Sequence, residues 1–351
     1  MSEILTFVVP GSLATRTGGY AYDRKIIENL RESGWTVEPV ELGSGFPNPD
    51  QKTLANTEKS FSAIPDGALV IVDGLAFGVL PEIAAREHLR LKLVALVHHP
   101  LADETGLGDE QRAELRRSEV HALGFAHHVV VTSNFTRRRL VEYGVEEKKI
   151  SVVEPGIDPA PLGKGRDRSG PGAPMQMLCP ASYIPRKGHV DLLRALSELK
   201  ELPWQLICAG NTKLDTGLYA EICALREAAG LNQRVELRDE VNEGELDRLY
   251  SAADLIVLAS HYEGFGMVVT EAVARGLPVI TTTGGALAET LPSGAGLASP
   301  PGDINALKEN LHRVLTDEAA YARLFEAARK AREALPTWDE ASRAFAQALK
   351  P

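Results

Sequence analysis

The sequence predicts an α/β fold made of two doubly wound units. Short apolar runs, of the length of buried parallel strands, alternate with longer amphipathic runs of helical period, and this alternation occurs twice along the chain. A segment rich in Pro and Gly, residues 155–174, separates the two series. Because 351 residues exceed what one hydrophobic core usually holds, two domains are the expected organisation.

Six apolar runs of the first series are predicted as parallel strands. They span residues 5–10, 35–42, 68–73, 91–98, 128–132 and 150–153, and the clearest helices between them are 20–32 and 110–123. Near-continuous apolar runs are typical of strands that helices cover on both faces. The first domain is therefore expected over residues 1–158.

The second series is predicted to build a similar unit over residues 175–336, after a linker at 159–174. Its strands are expected at 175–180, 205–209, 234–237, 255–259 and 279–282, with an amphipathic run at 190–199. The tail is predicted to be helical over 304–335, with a break at Pro336. A last helix, 337–350, carries an apolar face formed by Trp338, Ala341, Phe345, Ala348 and Leu349.

Composition excludes several classes of protein. A hydrophobic content of 44% and a charged content of 25% are typical of a soluble globular chain. Acidic residues outnumber basic ones by 48 to 38, for a net charge of −10. A dedicated nucleic-acid binder would normally be basic, so nucleic acid is not an expected partner.

The cysteines and the N-terminus indicate a cytoplasmic protein. Cys179, Cys208 and Cys223 form no CxxC pair and lie in or beside apolar runs, so we interpret them as buried thiols, neither disulfide-bonded nor metal-bound. Residues 1–10 lack the basic start and the apolar length of a signal peptide. No uncharged apolar run approaches the ~20 residues that a membrane span needs.

Two facing units of this kind are expected to form a cleft lined by the carboxyl ends of their strands, where ligands of such folds bind. The most informative motif at such a strand end is Glu263-Gly-Phe-Gly-Met-Val-Val-Thr-Glu271, which is predicted as a glycine turn followed by a helix N-terminus. The amides and dipole of that terminus favour an anion. Glu263 lies in the turn, and Glu271 is expected about two turns into the helix, ~10 Å away.

This spacing suits an extended ligand that has an anionic middle and a hydroxyl-bearing group at each end. A sugar joined through a diphosphate to a nucleoside has that layout. The alternative is that both carboxylates merely compensate the helix dipole.

Two further loops at strand ends are candidate binding elements. Arg186 and Lys187, held between Pro185 and Gly188, are placed to neutralise a diphosphate; the alternative is a solvated pair. In the loop 10–19, Gly18 and Gly19 would let the backbone approach a phosphate or a sugar ring, although the loop matches neither GxGxxG nor the P-loop pattern. The alternative there is a mobile connection.

The histidines give no metal signal. His98 and His99 end a predicted strand and point to opposite faces, so one is expected to face the cleft and the other to pack or cap. His127 and His128 are interpreted as structural. No HExxH, GxSxG or DxD motif is present, so the charge of a diphosphate is expected to fall to cations and helix amides.

Taken together, these motifs resemble those of the family 4 retaining glycosyltransferases of GT-B fold, of the glycosyl transferases group 1 type. The similarity covers nearly the whole chain: Gly18-Gly19, His98, Thr132-Ser-Asn-Phe-Thr136, Pro155-Gly-Ile-Asp158, Pro185-Arg-Lys-Gly188, the segment 260–266 and the segment 271–278. The resemblance implies two Rossmann-like domains facing across a cleft, with residues 337–351 crossing back to pack on the first domain.

The resemblance also implies roles for particular residues. Arg186 and Lys187 would bind the donor's diphosphate, Glu263 would contact the sugar hydroxyls and Glu271 would hold the ribose. The amides of Gly264, Phe265, Gly266 and Met267 would support the sugar and phosphates, Gly18 and Gly19 would close over the donor, and His98 would lie near the reacting carbon. One departure is Ala181-Ser182, where many relatives carry Gly-Arg, so the diphosphate would rest more heavily on Arg186 and Lys187.

The chemistry that the resemblance implies is transfer of a hexose-type unit from a nucleoside-diphosphate sugar to an acceptor hydroxyl on a glycan, glycolipid or small molecule. Retention, a front-face mechanism and independence from metals and cofactors are expected, with His98, Lys187 and Glu263 as the catalytic residues. The alternatives are a nucleotide-sugar epimerase of the same fold and a non-catalytic nucleotide-sugar-binding protein.

A separate hypothesis places the first domain at an anionic membrane surface, as a peripheral contact at the inner face. Arg112, Arg116, Arg117 and the run 137–139 would meet the lipid. The alternative is a solvated helix face, because glutamates interleave with the first three arginines.

Overall fold

The structure, a computed structural model, describes residues 4–165 and 173–350. It divides into two compact units: the first consists of Met1–Gly156 and Pro336–Pro351, and the second of Ile157–Leu335. Residues 166–172 of the predicted linker lie outside the described residues. No helix in the two described ranges is both long enough and apolar enough to cross a bilayer.

The first unit contains a six-stranded parallel sheet. Its strands are β1 Ile4–Val9, β2 Thr36–Glu41, β3 Leu69–Asp73, β4 Lys92–Val97, β5 His128–Val131 and β6 Ile150–Val152, in the order β2-β1-β3-β4-β5-β6. Its helices are α1 Gly18–Glu32, α2 Gln51–Ser62, α3 Gly74–Phe77, α4 Pro81–Glu87, α5 Asp109–Gly124 and α6 Asn134–Glu142. The strand order reverses direction between β1 and β3, which makes the carboxyl ends of these strands the expected ligand site of the unit.

The second unit contains another six-stranded parallel sheet. Its strands are β7 Met175–Pro180, β8 Trp204–Ala209, β9 Val235–Arg238, β10 Leu255–Leu258, β11 Val279–Thr282 and β12 Gly296–Ser299, in the order β12-β11-β10-β7-β8-β9. Its helices are α7 His189–Ser197, α8 Thr216–Ala228, α9 Glu243–Ala252, α10 Met267–Ala274, α11 Leu287–Thr290, α12 Ile304–Thr316 and α13 Glu318–Ala331. The strand order reverses direction between β7 and β10, and this position is the switch point of the second unit.

The two doubly wound sheets confirm the predicted fold class, and the ends of the predicted strands lie within one residue of the observed ones. The sequence analysis did not include β12, because Gly-Leu-Ala-Ser has one large apolar side chain in four residues. The tail predicted to be helical over 304–335 is helical but divided at Asp317 into α12 and α13. Asp317 adopts an extended backbone and its side chain accepts a hydrogen bond from the amide of Ala320 at 2.8 Å, so α13 begins anew there.

The last helix, α14 Trp338–Ala348, belongs to the first unit. Thr337 and Glu340 form a capping box at its start, with Glu340 N donating to Thr337 Oγ1 at 3.2 Å. Trp338 and Phe345 are buried against Tyr22 of α1, with ring centroids 5.8 and 6.5 Å from that of Tyr22. The predicted apolar face is therefore the face that packs.

Candidate functional site

The candidate site of the second unit lies at its switch point. The segments that follow β7 and β10 carry Arg186, Lys187 and Glu263. Because β7 and β10 are neighbours and parallel, both segments leave the same edge of the sheet. Glu263 is thus brought into contact with Lys187 and Arg186, which lie 76 and 77 positions earlier in the sequence.

Gly188 allows the two segments to approach closely. It has a φ of +65° after the 3-10 turn Pro185–Lys187, and a Cβ at this position would lie 2.0 Å from the carbonyl oxygen of Ala259. Only glycine fits such a left-handed position against another backbone. The amide of His261 then donates to the carbonyl of Arg186 at 2.7 Å, which fixes one segment to the other.

Glu263 is the centre of a buried charge cluster. Its Oε1 accepts from Lys187 Nζ at 2.6 Å and from Ser260 Oγ at 2.7 Å, and its Oε2 accepts from Arg186 Nη1 at 2.9 Å. The side chains of Arg186, Lys187 and Glu263 are 14%, 16% and 7% exposed. Two cations around one carboxylate leave a net charge of +1 at the strand ends, which attracts an anion.

The cluster keeps Glu263 ionised. Burial would raise the pKa of its carboxyl, but the charges of Lys187 and Arg186 and the hydrogen bonds from Lys187 and Ser260 outweigh burial and lower this pKa to about 2. The pKa of Lys187 is lowered, because its burial outweighs the attraction of Glu263.

The predicted division of labour, with the cations on a diphosphate and Glu263 on a sugar, stays a prediction. In the structure Arg186, Lys187 and Ser260 all donate to Glu263, so Glu263 reaches a ligand only through the face that these three hydrogen bonds leave open. Ser260 is a member of the cluster that the sequence analysis missed as an individual residue. Its place at the end of an apolar strand was the available signal.

Two helices of the second unit begin beside this cluster at glycines. Gly188 precedes α7 and Gly266, with a φ of +96°, precedes α10, and neither helix has a side-chain cap. By contrast, α8, α9, α12 and α13 are capped by the side chains of Asp215, Asn242, Asp303 and Asp317. Uncapped first-turn amides remain able to bind an anion. This is where the amides of Gly264, Phe265, Gly266 and Met267 were predicted to act.

Glu271 is the fifth residue of α10, so it lies just over one turn into the helix; the prediction of about two turns was wrong. Gly266 and the segment before it do not continue the helix, which begins later than the motif suggested. Tyr250 of α9 donates its hydroxyl to Glu271 Oε2 at 2.7 Å, and burial raises the pKa of Glu271 in spite of this bond. Tyr250 in turn packs under the guanidinium of Arg275, 4.4 Å from the ring centroid.

Replacing Tyr250 by Phe is expected to weaken binding of the donor nucleotide about 10- to 150-fold, the effect of losing one hydrogen bond to a charged group. Without the Tyr250 hydroxyl the pKa of Glu271 rises further. As the pH is lowered, Glu271 should therefore be protonated, and donor affinity lost, at a higher pH in the variant than in the parent. Calorimetric titration over a pH series measures both effects. Tyr321→Phe, which removes a buried hydroxyl bonded to Asp254 O, is the control; equal losses in both variants would contradict the role of Tyr250.

In the first unit, His98 lies between two carboxylates. His98 directly follows β4, and its Nε2 is 3.3 Å from Asp23 Oδ1 and 3.3 Å from Asp73 Oδ2. Asp73 ends β3, where its Oδ1 also accepts from the amide of Leu75 at 2.7 Å. Asp23 is fully buried on α1. The hydroxyls of Thr132 and Thr136 donate to the carbonyl of His98 at 3.2 and 3.4 Å, which gives the 132–136 motif a role in fixing this strand end.

The two carboxylates make His98 a cation. Burial lowers its pKa, but the hydrogen bonds and charges of Asp23 and Asp73 outweigh burial and raise the pKa to about 10. Burial and the charge of Asp73 raise the pKa of Asp23 to about 7. The sequence analysis missed both aspartates. The signals were a strand ending in Asp beside the strand of His98, and an Asp on the apolar face of α1.

The predicted glycine loop is partly helical, because Gly18 and Gly19 are the first residues of α1. A Cβ on Gly19 would lie 3.2 Å from His98 Cδ2, so Gly19 packs against the imidazole. His99 turns the other way, with Nε2 3.6 Å from Glu104 Oε2. His98, Gly19, Asp23 and Asp73 therefore form one group at the switch point of the first unit.

Asp23, Asp73 and His98 also have the chemistry of metal ligands, with ligand atoms within 4.8 Å of one another, as do Cys179, His189 and Cys208. The sequence analysis found no ligand-type residues around His98 because both aspartates are distant along the chain. An imidazolium between the two carboxylates offsets one of their negative charges without an ion. The predicted absence of a metal at the donor site stays a prediction.

Asp73→Asn is expected to lower the pKa of His98 by at least one unit, roughly the effect of removing one adjacent opposite charge. In the parent chain His98 should remain protonated at pH 8. The pH dependence of the His98 ring shifts in heteronuclear NMR spectra measures this directly. Glu104→Gln, next to His99, serves as the control; a His98 signal that titrates near pH 6.5 in the parent chain would contradict the assignment.

The arginines of the membrane hypothesis make contacts within the first unit. Arg139 pairs with Asp103 at 2.7 Å, Arg112 Nη1 donates to Ala102 O at 2.9 Å, and Arg116 lies over the ring of Tyr143, 4.8 Å from its centroid. These contacts support the alternative of a structural or solvated helix face. Membrane contact stays a hypothesis.

Solved structures with the same architecture define the class of fold. Sucrose-phosphate synthase from Thermosynechococcus elongatus superposes with a TM-score of 0.81 at 23% identity, covering 98% of each chain. Anabaena Alr3699/HepE, solved in complex with UDP-glucose, superposes with a TM-score of 0.78 at 16% identity, covering 98% of this chain and 99% of that one. The fold is that of the GT-B glycosyltransferases.

Sequence comparisons identify the family. The model described as "Glycosyltransferase Family 4" matches residues 39–161, and the model described as "Glycosyl transferases group 1" matches residues 167–331. Together these ranges make up more than half of the chain, which therefore belongs to the group 1 glycosyltransferases of the family 4 type.

Curated relatives have related names. D-inositol 3-phosphate glycosyltransferase of Kineococcus radiotolerans is 31% identical over 194 residues, 50% of this chain and 44% of the relative. Glycogen synthase of Mycobacterium tuberculosis is 28% identical over 278 residues, 76% of this chain and 65% of the relative. The chain spans about half the length of the D-inositol 3-phosphate glycosyltransferases that it matches.

Proposed function

We propose that this protein transfers a sugar from a nucleoside-diphosphate sugar to an acceptor hydroxyl, with retention at the anomeric carbon and without a metal ion at the donor site. The observation that carries the proposal is the buried Arg186-Lys187-Glu263 cluster at the switch point of the second unit, beside two helix N-termini that no side chain caps. Cations and free amides at one point favour a diphosphate.

Two carboxylates would set the orientation of the bound donor. Glu271, fixed by Tyr250, would accept hydrogen bonds from the ribose hydroxyls, and Glu263 would face the sugar. A uridine nucleotide is the first donor to test, because Alr3699/HepE was solved with UDP and with UDP-glucose. These assignments rest on the motif positions and on the family.

The properties of Glu263 favour front-face attack over a covalent glycosyl intermediate. A carboxylate with a pKa of about 2 that accepts three hydrogen bonds is a weak base and a poor nucleophile. The leaving phosphate would then take the proton of the acceptor hydroxyl as the glycosidic bond forms. Arg186, Lys187 and the amides would stabilise the negative charge that develops on the diphosphate, and the His98 imidazolium would orient groups from the first unit.

A thermal-unfolding panel of UDP, GDP and ADP with their glucose conjugates tests the donor assignment. One nucleoside diphosphate present at 100 times its Kd should stabilise the fold by about 2.7 kcal/mol, which shifts the unfolding temperature by several degrees. Lys187→Ala should lose most of that shift. If no nucleotide stabilises the parent chain, the proposed donor class is wrong.

Acceptors can be surveyed with the same donor once it is known. The names of the relatives and neighbours suggest three acceptors to test: D-inositol 3-phosphate, a sugar phosphate and an α-glucan. Product analysis with and without acceptor separates transfer from the alternatives. An altered sugar nucleotide without acceptor would indicate an epimerase, and binding without turnover would indicate a sensor.

A further inference from the structure

A second group of chemically competent side chains lies in the core of the second unit and has no part in the proposed transfer. Cys179 is in β7, Cys208 is directly opposite it in β8, and His189 is the first residue of α7. These side chains are 0%, 0% and 2% exposed, and the two cysteines are free thiols. The sequence analysis interpreted the cysteines as buried thiols, neither disulfide-bonded nor metal-bound, because they form no CxxC pair and lie in or beside apolar runs.

The three ligand atoms are arranged as a soft cation requires. Both sulfurs and an imidazole nitrogen lie within 4.8 Å of one another, and Cys179 Sγ is 3.8 Å from His189 Nε2. Around a zinc ion with bonds of about 2.3 Å to sulfur and about 2.0 Å to nitrogen, tetrahedral ligands are separated by roughly 3.5 to 3.8 Å. Small side-chain adjustments would therefore bring these three ligands to zinc, and a water molecule would complete the tetrahedron.

The polar groups of this cluster are poorly satisfied by the protein. His189 Nδ1 is buried and has no hydrogen-bond partner within residues 4–165 and 173–350, and the Nε2 contact to sulfur is long. Buried polar groups normally have a partner, and leaving one unmet costs about 1–3 kcal/mol. The nitrogen beside the sulfur is Nε2, so a cation bound to Nε2 and both sulfurs would replace that long contact with a strong one, while Nδ1 would remain the second nitrogen of a neutral imidazole.

Charge balance selects the class of cation. A divalent ion that displaces one proton from each thiol and binds a neutral imidazole forms a site of zero net charge, which a buried core tolerates. Thiolate and imidazole ligands favour zinc over the hard cations calcium and magnesium. We propose that Cys179, His189 and Cys208 bind a zinc ion that ties the start of α7 to β7 and β8.

The location gives this site a structural consequence. His189 directly follows Gly188, two residues after Lys187 in the segment that carries both cations of the donor cluster. A metal bond at His189 would attach the end of that segment to Cys179 in β7 and Cys208 in β8. The site is separate from the proposed transfer, because its ligands are buried and their side chains form no hydrogen bond with Glu263 within residues 4–165 and 173–350.

The test uses the full chain without an affinity tag, expressed in medium supplemented with zinc and purified in metal-free buffer. Elemental analysis should find about one zinc per chain. Expression with cobalt should give the intense visible bands and the thiolate charge-transfer absorption of a tetrahedral cobalt site. Cys179→Ser and Cys208→Ser should each abolish both signals.

Cys223→Ser is the matched control, because Cys223 is a free cysteine of the same unit outside the cluster. This variant should retain the zinc and the cobalt spectrum. The proposal is overturned if the parent chain contains no zinc, if Cys223→Ser loses the metal as Cys179→Ser does, or if mass spectrometry finds Cys179 and Cys208 joined as a disulfide. Since the zinc content and disulfide state of the parent chain are measured directly, a variant that fails to fold leaves the test intact.

Discussion

Lys187→Ala is expected to lower turnover by about 10²- to 10³-fold, the usual effect of removing one donor that stabilises charge in a transition state. Lys187 Nζ lies 2.6 Å from Glu263 and is placed where we propose that the diphosphate gathers charge. The variant should stay folded, because Glu263 keeps Arg186 and Ser260 as hydrogen-bond donors. Steady-state kinetics with the best donor of the panel measures the loss.

The matched control is Lys213→Ala, which removes an exposed lysine of the same unit whose Nζ is 3.7 Å from Asp239. Exposed pairs of this kind contribute little to stability, so both stability and turnover should stay near those of the parent. An unimpaired Lys187→Ala enzyme would refute the place of Lys187 in the donor site. A variant that is inactive because it is unfolded would be recognised by its thermal unfolding.

Glu263→Ala is expected to destabilise the second unit by about 3–5 kcal/mol, because Arg186 and Lys187 would remain largely buried without the carboxylate they share. Urea unfolding measures the change. Glu198→Ala, which breaks a more exposed pair with Lys308, is the control and should cost under about 1 kcal/mol. Inorganic pyrophosphate should restore more stability to Glu263→Ala than it adds to the parent. Equal effects of pyrophosphate on both chains would contradict an anion site at the cations.

The same cluster predicts a loss of stability in acid. The pKa of Glu263 is about 2 in the folded chain against an ordinary 4.5, so its contribution is complete above pH 4.5 and is lost as the pH falls toward 2. At 1.36 kcal/mol per pKa unit the contribution is about 3 kcal/mol. Lys187 stays protonated throughout this range and adds nothing to the slope. Glu263→Gln should therefore unfold with a flatter dependence on pH between about 4.5 and 2.

Much of the fold could be predicted because strand patterns are local. Runs such as 68–72 and 255–259 are apolar throughout, which is typical of a strand that helices cover on both faces. The division of the helical tail was harder to predict, because Asp317 ends one helix and caps the next only through a hydrogen bond from the amide of Ala320 to its carboxylate. β12 depends on pairing with β11, which a four-residue segment with one large apolar side chain does not predict.

The site was predictable to the extent that its chemistry lies in short motifs. Arg186-Lys187 and Glu263-x7-Glu271 were found because each occupies one strand end. Asp23, Asp73 and Tyr250 were missed because their partners are 75, 25 and 21 residues away, and only the strand order brings them together. The hydrogen bonds between Glu263 and both cations likewise follow from the pairing of β7 with β10.

The central claim is that the second unit holds a nucleoside-diphosphate sugar and that the sugar leaves with its anomeric configuration retained. Time-resolved proton NMR of the best α-linked donor, with acceptor or with water alone, tests this most directly. The α-anomer should be the first product, in step with release of the nucleoside diphosphate, and Lys187→Ala should slow both signals equally. A β-anomer as the first product would contradict the account. So would a Lys187→Ala variant that releases sugar and nucleoside diphosphate as fast as the parent.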